Sequence, residues 1–444
     1  MVRAGWWPLW GAAAAVAVGD LALHHPLPAG IAAAGAVGTA AVLAPRLGAG
    51  GTATVVGRRA GPPWTRLGLS VEERLRHVHC LGPSGSGKTT AVLMPMLAQD
   101  IAGGHGATVI EIKGGDLGAR ALSAAARAGR AVHVWAPAEG GGIGWNPLSE
   151  PGPATAERLI YALQRAGGPA APAADYYAAV GAGVIRHSVG AFASAGLPLD
   201  LLRLRAFLVD PQARQRVLRD VRDTFVRDYF LTVFEAWRPD ERLRNVQGIL
   251  NHLDSLLAHA EVRRSLCPPA DAPTLDLAAH LARGAVLVVT LPLGGMLRLA
   301  GALGHLLLST LQAQVYARPT ATPHHFIYLD EFQHFAGPGF AEFLALCRGF
   351  GVGTVLAHQN LGQLRALGGP ELAETVLANT RTTVVLRCDQ PDAALLAQRL
   401  PRPPAGPPWT GERLSTLPFG QALVARAGRR GRPRAEIVRL AWRG

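Results

Sequence analysis

One glycine-rich run constrains this chain more than any other: Gly82-Pro83-Ser84-Gly85-Ser86-Gly87-Lys88-Thr89-Thr90, of the form G-x-x-x-x-G-K-T. The apolar run His77–Leu81 precedes it and Thr90–Met94 follows, so the pattern predicts strand, loop and helix in that order. Gly82, Gly85 and Gly87 let the backbone turn tightly and aim its N–H groups at phosphate oxygens. The start of the helix adds a partial positive charge at the same point. Lys88 brings a compact charge for β- and γ-phosphates, and the Thr89 hydroxyl suits Mg²⁺. Pro83, Ser84, Ser86 and Thr90 complete the cradle. With 53 glycines in 444 residues a chance match is the competing reading. Lysine decides between them. Of 44 Lys and Arg, only Lys88 and Lys113 are lysines, so this slot is one where a planar guanidinium does not fit.

The flanking sequence continues in the same style. Ala107–Lys113, Ala131–Trp135, Ala285–Leu291, His325–Glu331, Gly353–Ala357 and Thr382–Leu386 read as strands, with helices at 117–128 and 299–317 between them. Alternation of this kind predicts an α/β core with a parallel sheet covered on both faces. From 151 to 270 strand-like runs vanish and apolar residues recur at helical spacing, as in Leu201, Leu204, Phe207 and Leu208, which predicts an inserted all-α domain. Its arginines, Arg203, Arg205, Arg214, Arg216, Arg219, Arg222 and Arg227, are offset by Asp220, Asp223 and Asp228, so a solvated face and a DNA contact stay equally open. Asp330 ends an apolar strand, well placed to hold Mg²⁺ through water, and Glu331 beside it to polarise an attacking water. Gln359, after the strand 353–357, is the first choice for a group that senses the γ-phosphate.

Residues 6–23 and 27–44 are apolar stretches parted by His24-His25-Pro26, each just long enough to cross a bilayer. Trp6, Trp7 and Trp10 sit where an interfacial belt belongs. Arg3 before the first stretch and Arg46, Arg58, Arg59 and Arg66 after the second place both ends in the cytoplasm. The expected layout is therefore a transmembrane hairpin (1–45), a linker (46–75), a first nucleotide-binding part (76–150), the helical insertion (151–270), and a second nucleotide-binding part with a basic tail (271–444). A cleaved leader or a soluble helix pair are the rival readings of the N-terminus. Cys80, Cys267, Cys347 and Cys388 form no C-x-x-C pair, which argues against zinc and disulfide scaffolds. Hydrophobic content of 49% excludes global disorder, and a net charge of +13 suits polyanions, either nucleic acid or the inner leaflet.

Taken together these residues resemble the type IV secretion coupling proteins, the conjugative DNA-transfer ATPases of the TraG/TraD group. The likeness rests on the hairpin, the P-loop, Ile110-Glu111-Ile112-Lys113-Gly114, Trp145-Asn146-Pro147-Leu148, the insertion, Leu329-Asp330-Glu331-Phe332, the Gln359 box and Asn379-Thr380-Arg381. It implies a RecA-like motor fold, ATP and Mg²⁺ as cofactors, a homo-hexamer at the inner membrane, and DNA, a relaxase or other secreted substrate and membrane channel proteins as partners. In such a ring Arg381 is a candidate finger toward a neighbour's nucleotide, Arg387 the runner-up, and a structural salt bridge the alternative. The chain departs from the family in its Ala357-His358-Gln359-Asn360 box, its short loop between the spans, and the lack of an acidic tail. Two rival functions are a HerA/FtsK-like translocase outside secretion and a docking platform that uses ATP as a switch.

The lysine argument predicts that Lys88→Ala abolishes nucleotide binding with the fold retained, and that Lys88→Arg fails as well. Binding of a fluorescent ATP analogue checks both; near-normal turnover in Lys88→Arg contradicts the argument.

Overall fold

The computed structural model describes residues 53–440 apart from positions 63, 113, 115, 168–173, 292–296, 320–322, 336–337, 404–405 and 428–432. The stretches 6–23 and 27–44, and the hairpin expected there, lie outside the described residues. Among the described residues no helix is long and apolar enough to cross a membrane.

Two compact units make up the chain. The first runs up to Val134 and resumes at Ala279–Thr290 and from Arg318 onward; the second is Trp135–Ala278 with Leu291–Ala317. The strands of the first are β1 (Ala53–Arg59), β2 (Arg66–Ser70), β3 (Val78–Leu81), β4 (Gly106–Glu111), β5 (Val132–Ala136), and, after a two-residue β6 (Gly141–Gly142) in the second unit, β7 (Val286–Thr290), β8 (His325–Leu329), β9 (Val352–His358), β10 (Thr382–Val385), β11 (Gln421–Arg426) and β12 (Arg434–Leu440). They lie in the order β2-β1-β12-β11-β10-β3-β9-β8-β4-β7-β5. The run β10-β3-β9-β8-β4-β7 is parallel throughout. Every residue of β3, β4, β8 and β9 is buried, as expected of parallel strands with both faces covered. One cover comes from α1 (Val71–Leu75), α2 (Met94–Ala102) and α3 (Asp116–Ala128), whose Met96, Leu97, Ile101, Leu117 and Ala121 join Val78, Val109, Tyr328 and Val355 in one apolar cluster.

Residues 46–75, expected as a linker, carry β1, β2 and α1; the expected basic tail, Arg426 to Arg434, joins β11 to β12, and its positions 428–432 lie outside the described residues. The reason is long-range pairing: Gly57 faces Leu440, and a side chain at Gly57 would strike the Arg439 carbonyl at 2.6 Å. α1 begins at a capping box in which Ser70 Oγ accepts from Glu73 N and the Glu73 carboxylate accepts from Ser70 N. Its Arg74 is fully buried. The guanidinium pairs with Asp100, donates to Thr54 Oγ1 at 2.8 Å and lies 3.7 Å from the Phe326 ring centroid, while Tyr328 Oη donates to Asp100.

The second unit is mostly helical: α4 (Pro153–Gly167), α5 (Ala174–Ala195), α6 (Leu201–Val209), α7 (Pro211–Asp220), α8 (Thr224–Asp228), α9 (Pro239–Leu257) and α10 (Ala260–Leu266). The short α11 (Leu277–Arg283) follows, and the long α12 (Leu297–Ala317) returns to this unit. Phe192, Phe207, Phe230 and Phe234 meet edge to face or tilted through its core. Trp145-Asn146-Pro147-Leu148 pins this unit, with Asn146 Nδ2 donating to Leu199 O and Trp145 N to Ser265 O, both at 2.8 Å. Arg203 and Arg205 pair with Asp200 and Asp254, and Arg214 is buried on Glu235.

Removing one member of a buried ion pair leaves the other charge uncompensated, at a cost of about 3–5 kcal/mol. Asp100→Ala is expected to lower the urea midpoint accordingly, and Arg74→Met with Asp100→Leu to recover most of the loss. An Asp100→Ala midpoint equal to that of the parent chain contradicts this.

Candidate functional site: a phosphate cradle beside an acidic strand end

β3 runs straight into the cradle. Gly85 and Gly87 take φ of +76° and +94°, the left-handed region that glycine enters without penalty. A Cβ on Gly82 would stand 2.7 Å from Ser86 Oγ and 2.9 Å from Leu386 Cβ, so that position has room only for hydrogen. Lys88–Leu93 forms a π-helical turn that passes into α2, a rare geometry concentrated at functional sites. Lys88 is buried, and its Nζ donates to the carbonyls of Gly82 at 2.7 Å and Pro83 at 3.1 Å. The ammonium thus folds back over the glycine-rich loop that precedes it. Ser84, Gly85 and Thr90 are exposed, while Pro83, Ser86, Gly87 and Thr89 are half-buried.

Two other strand ends meet the cradle. β9 lies between β3 and β8, with Leu81 opposite His358 and Leu356 opposite Leu329. The register delivers Asp330 and Glu331 from β8, and Gln359 from β9, to the edge where the cradle sits. Thr89 Oγ1 donates to Asp330 Oδ2 at 2.7 Å, which joins the two residues expected to serve Mg²⁺. Among the described residues no group of three His, Cys, Asp or Glu side chains forms a metal cage. A hydroxyl, one carboxylate and water are the donors suited to Mg²⁺, which keeps much of its hydration shell.

Glu331 is buried and holds φ +53°, ψ +47°, a left-handed conformation rare outside glycine. Its N–H donates to Asp330 Oδ1 at 3.0 Å. Gln359 Nε2 donates to Glu331 Oε1 at 3.1 Å and Gln333 Nε2 to Oε2 at 2.8 Å, so two amides orient the carboxylate. Gln333 was missed in the sequence; its only signal is its place two residues after Glu331. Behind the site, burial holds the His79 imidazole down at about 4 and His358 well below its ordinary value. Burial also pushes the Cys80 thiol up to about 12, so it offers no nucleophile at neutral pH.

Arg381 is not brought to this edge. Thr382 pairs with Val78 and Val385 with Leu81, so Arg381 opens β10 at the far end from the cradle. It is exposed, and lines a cavity of about 610 Å³ together with Arg76, Arg348, Arg399 and Arg426. Arg387 follows Leu386 at the cradle's edge and is also exposed.

Residues 46–153 match the family model described as Type IV secretory system Conjugative DNA transfer, and residues 324–398 match TraM recognition site of TraD and TraG. The first match holds the cradle, the second the acidic strand end and Gln359. Over these two stretches the chain is similar to the type IV coupling proteins. Among solved structures it is similar to the bacterial conjugative coupling protein TrwBdeltaN70 (18% identity, 85% of this chain and 87% of that one, TM-score 0.62). TrwB with an ATP analogue gives 17% identity over 88% and 89% at the same TM-score. VirB4 of Thermoanaerobacter pseudethanolicus gives 12% identity, 88% and 97%, and TM-score 0.59. At these identities the likeness is one of fold, a RecA-like α/β architecture with a mostly parallel sheet. No curated protein sequence matches the chain.

The roles expected of the two carboxylates differ in what their removal should do. Glu331→Gln is expected to keep nucleotide binding and cut hydrolysis by about 10²-fold or more, the scale of a lost general base. Asp330→Asn is expected instead to raise the Mg²⁺ concentration needed for half-maximal turnover. Equal loss of nucleotide binding in both variants contradicts the division.

Proposed function

We propose that this protein is a membrane-anchored ATPase that couples ATP hydrolysis to the transfer of DNA, or of a DNA–protein complex, toward a type IV secretion channel. The observation that carries the reading is the 2.7 Å contact between Thr89 and Asp330 with Glu331 next in the chain. It joins a phosphate cradle, a Mg²⁺-type donor pair and a carboxylate for water at one strand edge. Lys88 and the cradle N–H groups bind the β- and γ-phosphates. Thr89 and Asp330 would hold Mg²⁺, which when bound neutralises charge developing on the phosphate oxygens. Glu331 orients the attacking water and accepts its proton, and Gln359, which donates to Glu331 Oε1, would sense the γ-phosphate. Kinship supports the nucleotide: TrwB has been solved with ADPNP, and with ADP and Mg²⁺.

The partners follow from family and charge. The matched family models concern conjugative DNA transfer and TraM recognition, which supports DNA and relaxosome proteins as partners. A net charge of +13 favours a polyanionic cargo. Anchoring through residues 1–45 and assembly into a hexamer complete the proposal. ATPase rates of residues 45–444, measured alone and with single- or double-stranded DNA, test it. Hydrolysis is expected to rise with one form of DNA and to lose that stimulation as salt is raised. Hydrolysis indifferent to both forms favours the docking-platform alternative, and no hydrolysis at all overturns the reading.

A further inference from the structure

The box Ala357-His358-Gln359-Asn360 is one of the places where the sequence departs from the family it resembles, and the fold shows what the histidine touches. His358 ends β9 and is fully buried beside His79 of β3, the strand that runs into the phosphate cradle. Their Nε2 atoms are 2.6 Å apart, with ring centroids 4.8 Å apart and planes within 10°, the arrangement of two imidazoles joined edge to edge. His358 Nδ1 lies 2.9 Å from the Asn360 carbonyl, and Phe332 meets the His358 ring edge-on at 5.0 Å.

Donor and acceptor roles follow by elimination. A carbonyl only accepts, so His358 Nδ1 carries the proton and its Nε2 is bare. The contact at 2.6 Å then requires His79 to donate from Nε2, which leaves its buried Nδ1 without a partner. The two rings are therefore opposite neutral tautomers, locked by one hydrogen bond that crosses from β3 to β9. Gln359 stands between His358, held by this bond, and Asn360, whose side chain accepts from Gln363 N at 2.9 Å to start α14 (Leu361–Asn379, with α13 at Pro338–Leu346). Both neighbours of Gln359 are thus fixed, and its amide is aimed at Glu331.

We propose that His79 and His358 form a positioning pair that ties the backbone under Gln359 to the strand carrying the phosphate cradle, and so sets where Glu331 points relative to the γ-phosphate. This rests on the reading of Glu331 as the residue that orients water. Neither histidine touches the nucleotide; each acts through Gln359. A rigid link matters here because a misplacement of about 1 Å at a reacting group costs up to ~10²-fold in rate. It also accounts for a polar pair in a layer of apolar strands, where the two Nε2 atoms satisfy each other and burial favours the neutral forms the bond needs.

The test uses the full chain in detergent. His79→Leu removes the donor. His358→Asn keeps an N–H near the Asn360 carbonyl but loses the acceptor, and His79→Gln returns an N–H close to the position of imidazole Nε2. Each of the first two is expected to cut ATP turnover by about 10- to 100-fold with affinity for a fluorescent ATP analogue unchanged. The double variant is expected to be no worse than the singles, because both remove the same bond. His79→Gln is expected to recover most of the rate. Multiplicative losses in the double variant, affinity falling in step with turnover, or no recovery with Gln overturn the pair's role. A second readout is independent of hydrolysis. Nitrogen resonances of isotope-labelled histidine should show one Nε2–H and one Nδ1–H neutral ring, the second shifting in His79→Leu. Two like tautomers or a charged ring overturn the proposal even where hydrolysis is normal. Absence of hydrolysis in the unaltered chain overturns the ATPase reading alone, and the resonances still decide the pair.

Discussion

The site depends on parallel register. Hydrogen bonds between β3, β9 and β8 fix three strand ends at one level, Leu81 against His358 and Leu329 against Leu356. Because the strands are parallel, all three chains leave the sheet in the same direction, and the polar residues that follow each apolar run emerge together. The glycine cradle, the Asp330–Glu331 pair and Gln359 are far apart in sequence and become neighbours through backbone pairing alone. Slipping any of these strands by one residue would exchange the side chains of its two buried faces and shift its polar end along the edge, so the packing on both faces also guards the geometry of the site.

Burial does a second job at this edge. Lys88 and Glu331 are nearly inaccessible, yet each is surrounded by oriented dipoles rather than left bare: carbonyls for the ammonium, amides for the carboxylate. Such an arrangement lets charge remain inside a protein where a naked ion would be expelled or neutralised. The left-handed backbone of Glu331 belongs to the same design. Its cost is borne by a sheet rigid enough to hold the residue where an unstrained turn would not place it.

Much of this was legible in the sequence because the signals were local. The cradle announces itself in residues 82–89. The strands at 107–111, 286–290, 325–329 and 352–358 are short unbroken apolar runs, which parallel strands must be. What stayed hidden is what no local pattern encodes. β1 and β2 lie among glycines, prolines and arginines and become strands only through β12. The helical unit begins at Trp135, where the local pattern still reads as strand, and Trp145–Leu148 serves that unit by holding Leu199 and Ser265. His79 looks like an odd polar residue in an apolar run until β9 brings its partner. Arg381 sits in a segment with a family likeness, yet the parallel direction of β10 sends it to the rim opposite the cradle.

The pairing of β1 with β12 has a consequence for how the protein is made. The ribosome releases β1 early and β12 near the end of the described chain, and translation at about 5–20 residues per second separates them by tens of seconds. During that interval β1 and β2 have α2 to pack against, through Gln99 on Val55, but the edge of β1 that pairs with β12 stays open. The nascent chain therefore has its site-forming strands available before its sheet is sealed, and it is in this window, rather than in the finished protein, that holding chaperones have most to do.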